Sequence, residues 1–374
     1  MMLVVNAGSS SLKYALFTPK LDEILDGRIE EIGTPRAKHV YGTTAVAVAA
    51  PDHQAAITLL LGRLTEAGHP PSSLTAAAHR VVHGGTRFSE TVKIGPEVLA
   101  TIEEMVPLAP LHNPANLAPI KALQNLAPEL PQYAAFDTAF HTTIPEVVQA
   151  YALPADERAR GLRRYGFHGL SYAALARRLP DVAGHMPERV LACHLGNGAS
   201  LCAIKGGRSV ASSMGYSAVS GLTMGTRAGE IDATAVLDLA DRHGTEGAAN
   251  ILNRKSGLKA LGGTSDMRAL HAASTGEAKF AIDHFVTSAL REAGGMIALM
   301  GGLDAVVFTG GIGENDQITR ARILNGLAFL GVDHDSDAGG PKLHRDGSRV
   351  TAWVIPAAEE EQIALEAYAL LEAR

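Results

Sequence analysis

Three glycine-rich turns are the segments of this sequence best suited to chemistry. Asn6-Ala7-Gly8-Ser9-Ser10-Ser11-Leu12-Lys13 follows the apolar run Leu3-Val4-Val5. His194-Leu195-Gly196-Asn197-Gly198-Ala199-Ser200 follows Val190-Leu191-Ala192-Cys193, and Gly310-Gly311-Ile312-Gly313-Glu314-Asn315 follows Ala305-Val306-Val307-Phe308. Such turns present several backbone N–H groups in fixed directions and bind anions with little reorganisation. The last one leads into a helical stretch, whose N-terminal dipole adds attraction for phosphate or ribose oxygens. Neither standard nucleotide fingerprint is present. There is no GxxxxGKS/T run, and Gly311-Ile312-Gly313 lacks the third glycine of a dinucleotide motif. One turn of this kind reads as a plain structural turn; the set, on matching halves of the chain, predicts a nucleotide cleft.

The elements that must position these turns repeat. An apolar run, a Gly/Ser turn and the second run Tyr14-Ala15-Leu16-Phe17 form a β-hairpin pattern. The same pattern returns and ends on Leu201-Cys202-Ala203-Ile204. Placing Asn6 on His194 also places Gly8 on Gly196, Ala15 on Ala203 and Leu16 on Ile204. Later in each half an apolar strand runs into paired glycines, first 76–85 with Gly84-Gly85, then 305–311 with Gly310-Gly311. Helical spacing covers 54–67, with Gly68 and Pro70 as stop signals, and also 280–299, 317–330 and 359–371. Gly294-Gly295 predicts close packing of the second of these against a neighbour. Two α/β lobes facing each other would make a cleft, where ligands usually sit.

Bulk properties bound the reading. The 374 residues call for two domains of ordinary size, and 46% apolar with 19% charged residues fits a soluble globular protein. Cys193 and Cys202 are too few for a disulfide framework and match no zinc pattern. They read as small buried hydrophobes. A net charge of -6 argues against nucleic acid as a partner but not against a phosphate ligand. The apolar run after Met1 is too short for a leader, and no stretch is long enough to cross a bilayer. The expected location is the cytoplasm, with no membrane partner.

The turns belong to a longer series of blocks. To them are added His79-Arg80-Val81-Val82-His83-Gly84-Gly85, Leu108-Ala109-Pro110-Leu111-His112-Asn113-Pro114 and Phe136-Asp137-Thr138-Ala139-Phe140-His141. Tyr165-Gly166-Phe167-His168-Gly169 and Met224-Gly225-Thr226-Arg227-Ala228-Gly229-Glu230-Ile231-Asp232 complete it. In content and order, over essentially the whole chain, this series resembles the acetate kinases (the acetokinase family), within the actin-like ATPase and sugar kinase superfamily. The resemblance implies an α/β fold of two similar lobes of the actin-like ATPase (ribonuclease H-like) type, with a duplicated βββαβαβα core. The N-terminal lobe would take 1–140 joined by the C-terminal helix 358–374, and the C-terminal lobe 141–357. It also implies a homodimer and reversible, Mg2+-dependent phosphoryl transfer from ATP to acetate, giving acetyl phosphate and ADP. Mn2+ is the expected substitute metal.

Residue roles follow from the same resemblance. Arg80 matches the carboxylate-binding arginine, and a guanidinium can grip a carboxylate by two parallel hydrogen bonds. Arg227 matches a second active-site arginine, and His168 the histidine facing the moving phosphoryl group, where fixed donors lower the barrier. His112 and His194 are secondary candidates. Asp137 matches the catalytic carboxylate. A substrate acid with a pKa of ~4 is already ionised near neutrality. Asp137 therefore reads as an organiser of a metal-bound water and the phosphoryl group rather than a strong base. Asn6 and Glu359 match the metal site. Glu359, Glu360 and Glu361 are consecutive, so that match slips easily by one, and glutamates here also complement a helix N-terminus. Lys13, His194, Leu195, Gly196, Asn197, Gly198, Asp266, Met267, Arg268, Gly311, Ile312, Gly313, Glu314 and Asn315 match nucleotide contacts.

Val82, Leu111 and Phe167 match the pocket for the acid's methyl end. The fourth pocket position is a proline in the family and Ala218 here. One methylene in such a pocket discriminates by only ~1–3 kcal/mol, so propionate competes with acetate as substrate. The runner-up is thus a propionate or other short-chain acid kinase. A reading of another class is a non-kinase actin-like ATPase, which has no need of Arg80, Arg227 or the apolar pocket. Keeping water from the phosphoryl group leads us to expect closure on nucleotide.

Overall fold

A computed structural model describes residues 1–109 and 112–372. Its strands show why the apolar runs were so continuous. β1 (Met2–Ala7) is buried along its whole length, and a strand covered on both faces has no polar alternation to show. The chain divides into two units, Met1–Phe140 with Ala358–Arg374, and His141–Ala357.

The first unit carries an eight-stranded sheet. Its strands are β1, β2 (Leu12–Phe17), β3 (Glu23–Glu30), β4 (Lys38–Tyr41), β5 (Thr44–Ala47), β6 (Ala76–Val81), β7 (Val92–Lys93) and β8 (Gln132–Phe136), in the order β5-β4-β3-β2-β1-β6-β8-β7. The second unit has five strands: β9 (Arg189–Leu195), β10 (Ala199–Lys205), β11 (Arg208–Ser212), β12 (Ala305–Thr309) and β13 (Thr351–Val354), in the order β11-β10-β9-β12-β13. In both, three antiparallel strands are followed by two parallel additions: β3-β2-β1-β6-β8 matches β11-β10-β9-β12-β13 in order and direction. The duplication is real. The β4–β5 hairpin and β7 are additions to the first copy.

Two details of the sequence alignment need correction. Asn6 pairs with Lys13 across the first hairpin, whereas His194 pairs with Ser200 across the second. The second turn is one residue shorter, so Ala15 corresponds to Cys202 and Leu16 to Ala203, not to Ala203 and Ile204. A one-residue slip exchanges the two faces of a strand, and an ungapped alignment cannot see it. The paired glycines are not equivalent either. Gly310 stands at the place of Val81, because His194 pairs with Thr309 where Val5 pairs with His79 one residue earlier in both partners. Gly310, at φ +79°, turns directly into the helix Gly310–Asn315, while the first copy runs on to Gly85 at φ +60°.

The helices lie close to their expected spans. His53–Glu66 starts at Asp52, whose carboxylate accepts from the Ala55 N–H at 2.8 Å. Gly276–Met300 is capped by Thr275. Gln317–Gly326 ends before 330, the remainder forming a short 3-10 turn. Glu359–Glu372 packs on β1, β6 and β8. The packing expected of Gly294-Gly295 is not found among the described residues: both are exposed, and a Cβ added at either meets nothing within 4 Å. Among the described residues no helix is long and apolar enough to cross a membrane.

Candidate active site

In the first unit the predicted residues gather at the C-terminal ends of adjacent parallel strands. Asn6 is near the end of β1, Arg80 near the end of β6, and Asp137 directly follows β8, its N–H bonded to the Val81 carbonyl at 3.1 Å. Ligands of open α/β sheets sit outside such ends. Arg80 Nε lies 3.0 and 3.1 Å from the two Asp137 oxygens, and Nη2 is 2.6 Å from Oδ2. Its remaining Nη1 donates to Asn6 Oδ1 at 3.2 Å and lies 3.6 Å from Glu359 Oε2. The guanidinium fork expected to hold a substrate acid is thus engaged with Asp137. The Asp137 side chain is only 1% exposed. Burial pushes its carboxyl up, and the Arg80 charge opposes that rise. Burial likewise disfavours the Arg80 charge, but Asp137 and Glu359 outweigh it and hold the guanidinium above its ordinary range.

The helix Glu359–Glu372 brings its first turn to this cluster. Asn6 Nδ2 donates to Glu360 Oε1 at 2.9 Å, so Glu360 joins Glu359 beside Asn6 and Arg80. The set is rich in hard oxygen donors, which suits Mg2+. Among the described residues no three His, Cys, Asp or Glu side chains are grouped as a self-sufficient metal cage. Mg2+ does not require one, since it keeps waters and takes one or two carboxylates with substrate phosphates. Lys13 is exposed and faces Asn6 across the β1–β2 pair.

Two asparagines, Asn113 of the block around His112 and Asn116 just after it, hold the backbone next to Arg80. Asn116 Oδ1 accepts from the Val82 N–H at 3.0 Å while its Nδ2 donates to the Ala7 carbonyl at 2.7 Å. Asn113 Oδ1 accepts from the His83 N–H at 3.2 Å. Both amides are buried on the helix Asn113–Leu126, whose N-cap position is His112. Val82 is buried, and Leu111 lies outside the described residues.

The second unit assembles the other candidates. His168 has the left-handed conformation at φ +58°, uncommon for a non-glycine residue, and precedes the helix Gly169–Ala183. Its Nδ1 is 2.8 Å from Ser200 Oγ, which is 2.6 Å from the Tyr172 hydroxyl. With Tyr172 donating to Ser200 and Ser200 to Nδ1, a neutral His168 carries its proton on Nε2. That nitrogen faces Gly198: a Cβ there would lie 3.3 Å from His168 Nε2 and 3.6 Å from Arg227 Nη1. His168 also stacks on His194 at 4.1 Å, and His194 Nδ1 is 2.8 Å from Ser171 Oγ. Ser171, Tyr172 and Ser200 were not singled out in the sequence, although each lies in or beside a block that was.

Arg227 is held by its own loop. Nη1 donates to the Ala218 carbonyl at 3.0 Å, so the position that departs from the family proline also bears on the arginine. The loop is pinned from behind: the N–H groups of Ser256, Leu258 and Lys259 donate to the carbonyls of Thr226, Met224 and Gly225 at 3.0, 2.8 and 2.9 Å. Gly225 N–H bonds the Asn197 carbonyl at 2.9 Å, and its missing side chain leaves room for the Asn197 amide. Phe167 is buried, its carbonyl 2.9 Å from His141 Nε2.

The two glycine turns of this unit lie side by side because β9 and β12 are parallel neighbours. Within Gly310–Asn315, Glu314 Oε1 accepts from both the Gly310 and Ala357 N–H groups at 2.9 Å, and Asn315 Nδ2 donates to the Gly311 carbonyl at 2.9 Å. Glu314 and Asn315 thus shape the turn, with Ile312 and Gly313 inside it. Asp266 caps the helix Met267–Ala272 and pairs with the exposed Arg268 at 2.9 Å.

A doubled sheet with turns of this kind at its strand ends is the actin-like ATPase architecture. The description of the acetokinase family matches residues 1–365. An acetate kinase of Methylocella silvestris is 43% identical, over 99% of this chain and 98% of its own. Among solved structures, an acetate kinase of Porphyromonas gingivalis superposes with a TM-score of 0.89 at 37% identity, covering 99% of each chain. A propionate kinase of Francisella tularensis subsp. tularensis gives 0.92 at 36% identity, covering 98% of each. The chain belongs to the acetokinase family.

Proposed function

We propose that the protein is a carboxylate kinase that moves the terminal phosphoryl group of ATP to acetate, forming acetyl phosphate and ADP, and runs the reverse reaction as well. The observation that carries this reading is the cluster of Arg80, Asp137 and Asn6 at adjoining strand ends with Glu359 of the C-terminal helix, in a chain of this family. Arg80 receives the acid's carboxylate, exchanging Asp137 for it. Asn6 and Glu359 or Glu360 would hold Mg2+, with Asp137 beside a water on it, and the bound ion would neutralise phosphate oxygens. Freed from the guanidinium, Asp137 orients water and the phosphoryl group. The acid needs no deprotonation, so these residues supply position and charge rather than a base. His168 and Arg227 donate to the equatorial oxygens as charge spreads over them. The turns at 194–198 and 310–315, with 266–268, hold the nucleotide. Val82 and Phe167 line the methyl end of the acid.

Ala218 supports a second substrate, because a residue smaller than proline leaves room for a further methylene. Trapping the acyl phosphate with hydroxylamine, and comparing kcat/KM for acetate, propionate and butyrate, tests both. We expect trapped product from acetate, with propionate within about 10–200-fold, the span one methylene commands. A strong preference for butyrate removes the acetate assignment. ATP hydrolysis with no trapped product from any short acid removes the kinase reading.

A further inference from the structure

The segments 266–268 and 310–315 are far apart in sequence, and a side-chain pair ties the elements that carry them. His271, in the helix Met267–Ala272, places Nε2 at 2.9 Å from Oδ2 of Asp316, the residue directly after Gly310–Asn315. Both side chains are largely withdrawn from water, with exposures of 19% and 11%. An ionised carboxylate only accepts, so the imidazole carries a proton on Nε2.

Asp316 is itself fixed. Its Oδ1 accepts from the Thr319 N–H at 3.0 Å, capping Gln317–Gly326, and Oδ2 accepts from the Thr319 hydroxyl. One turn further, the buried Arg320 donates to the Gly313 and Glu314 carbonyls at 3.0 and 2.7 Å. The short helix Gly310–Asn315 is therefore anchored at its C-terminal end, and His271 reaches that anchor from the other segment. Neither His271 nor Asp316 lies in the segments assigned to ligand.

We propose that His271 and Asp316 form a positioning pair that sets the spacing of the two nucleotide-holding segments, and so controls affinity for ATP and ADP without acting on the acid. This rests on the assignment of 266–268 and 310–315 to the nucleotide. A small misplacement of preorganised groups is enough to cost a large factor in binding or rate, and the pair joins a helical residue to the capping residue between two helices.

The test uses full-length protein and the variants His271→Gln, His271→Asn and His271→Ala. Gln can place its amide nitrogen near the position of Nε2, while Asn is too short to reach Asp316. We expect His271→Asn and His271→Ala to raise the KM for ATP about tenfold or more, with the acetate KM and kcat within about twofold of the parent. His271→Gln should recover most of the ATP affinity. Equal rises in both KM values, or failure of Gln to do better than Asn, would show that the pair is only structural and overturn the proposal. So would an unchanged ATP KM in all three. A parallel hydrogen-exchange measurement on the unaltered protein with ADP and Mg2+ separates the two levels. Protection of both segments supports the nucleotide assignment independently of the variants. No protection of either removes that assignment, and the proposal with it.

Discussion

Arg80 and Asp137 cannot be probed symmetrically. Removing the arginine strands a buried carboxylate, which costs about 3–5 kcal/mol of stability and confuses any kinetic reading. Replacing Asp137 by Asn keeps the shape and leaves Arg80 with Asn6 and Glu359 nearby. We expect Asp137→Asn to lower kcat about 100-fold or more with Mg2+ present, in the range set by loss of one preorganised charged group, while the protein stays folded. Turnover near that of the parent would take Asp137 out of the mechanism. The same scale exposes what spacing alone hides. Arg80 and Asp137 were each legible from the blocks that carry them, 79–85 and 136–141. That they grip each other was not, because the contact is set by the β6–β8 pairing rather than by neighbours in sequence.

At the level of elements, the loop that carries Arg227 is bounded by two glycines with different demands. A Cβ on Gly225 would fall 2.0 Å from Asn197 Oδ1, the far end of a side chain that can move away. One on Gly257, at φ +65°, would fall 2.1 Å from the Met224 carbonyl oxygen, which is backbone. Gly225→Ala should therefore cost little stability, about 1–2 kcal/mol at the low end of overpacking, but raise the ATP KM several-fold by displacing Asn197. Gly257→Ala should cost more than that through both strain and clash. Urea unfolding of the two variants checks the order, and a reversed order would contradict this packing of the loop. The glycine-rich turns were legible because their signal is local: an apolar run, a turn composition, a second run. The hairpin register was not, since a turn shortened by one residue leaves the composition intact. Tyr172, Ser200 and Asn116 escaped for a related reason. Each meets its partner only after strands or helices distant in sequence are laid together, and a Ser or Asn by itself has no pattern that announces such a bond.

Across the whole molecule, each unit buries a neutral histidine. Burial pushes His79 on β6 and His141 in the second unit down to about 4. Unfolded, each titrates near ~6.5. Below that pH the unfolded chain takes up protons that the folded one refuses, so stability is full above about pH 6.5 and declines toward pH 4. The limiting slope is about 1.4 kcal/mol per pH unit for each histidine. The urea midpoint should be level from about pH 7.5 to 6.5 and fall below it; a midpoint still level near pH 5 would contradict buried neutral rings. The first unit is also discontinuous, completed by the helix Glu359–Glu372, which covers β1, β6 and β8 and supplies Glu359 and Glu360. This has a consequence during synthesis. β1 leaves the ribosome well before its covering helix, which follows only after residues 141–357, an interval of about 10–40 s at ordinary elongation rates. Only at the end of that interval does the second unit have all its residues, and throughout it the older unit waits with part of its sheet uncovered. The nascent chain thus matures out of order, and a ribosome that stops before residue 359 releases a polypeptide without the two glutamates that adjoin Arg80 and Asn6.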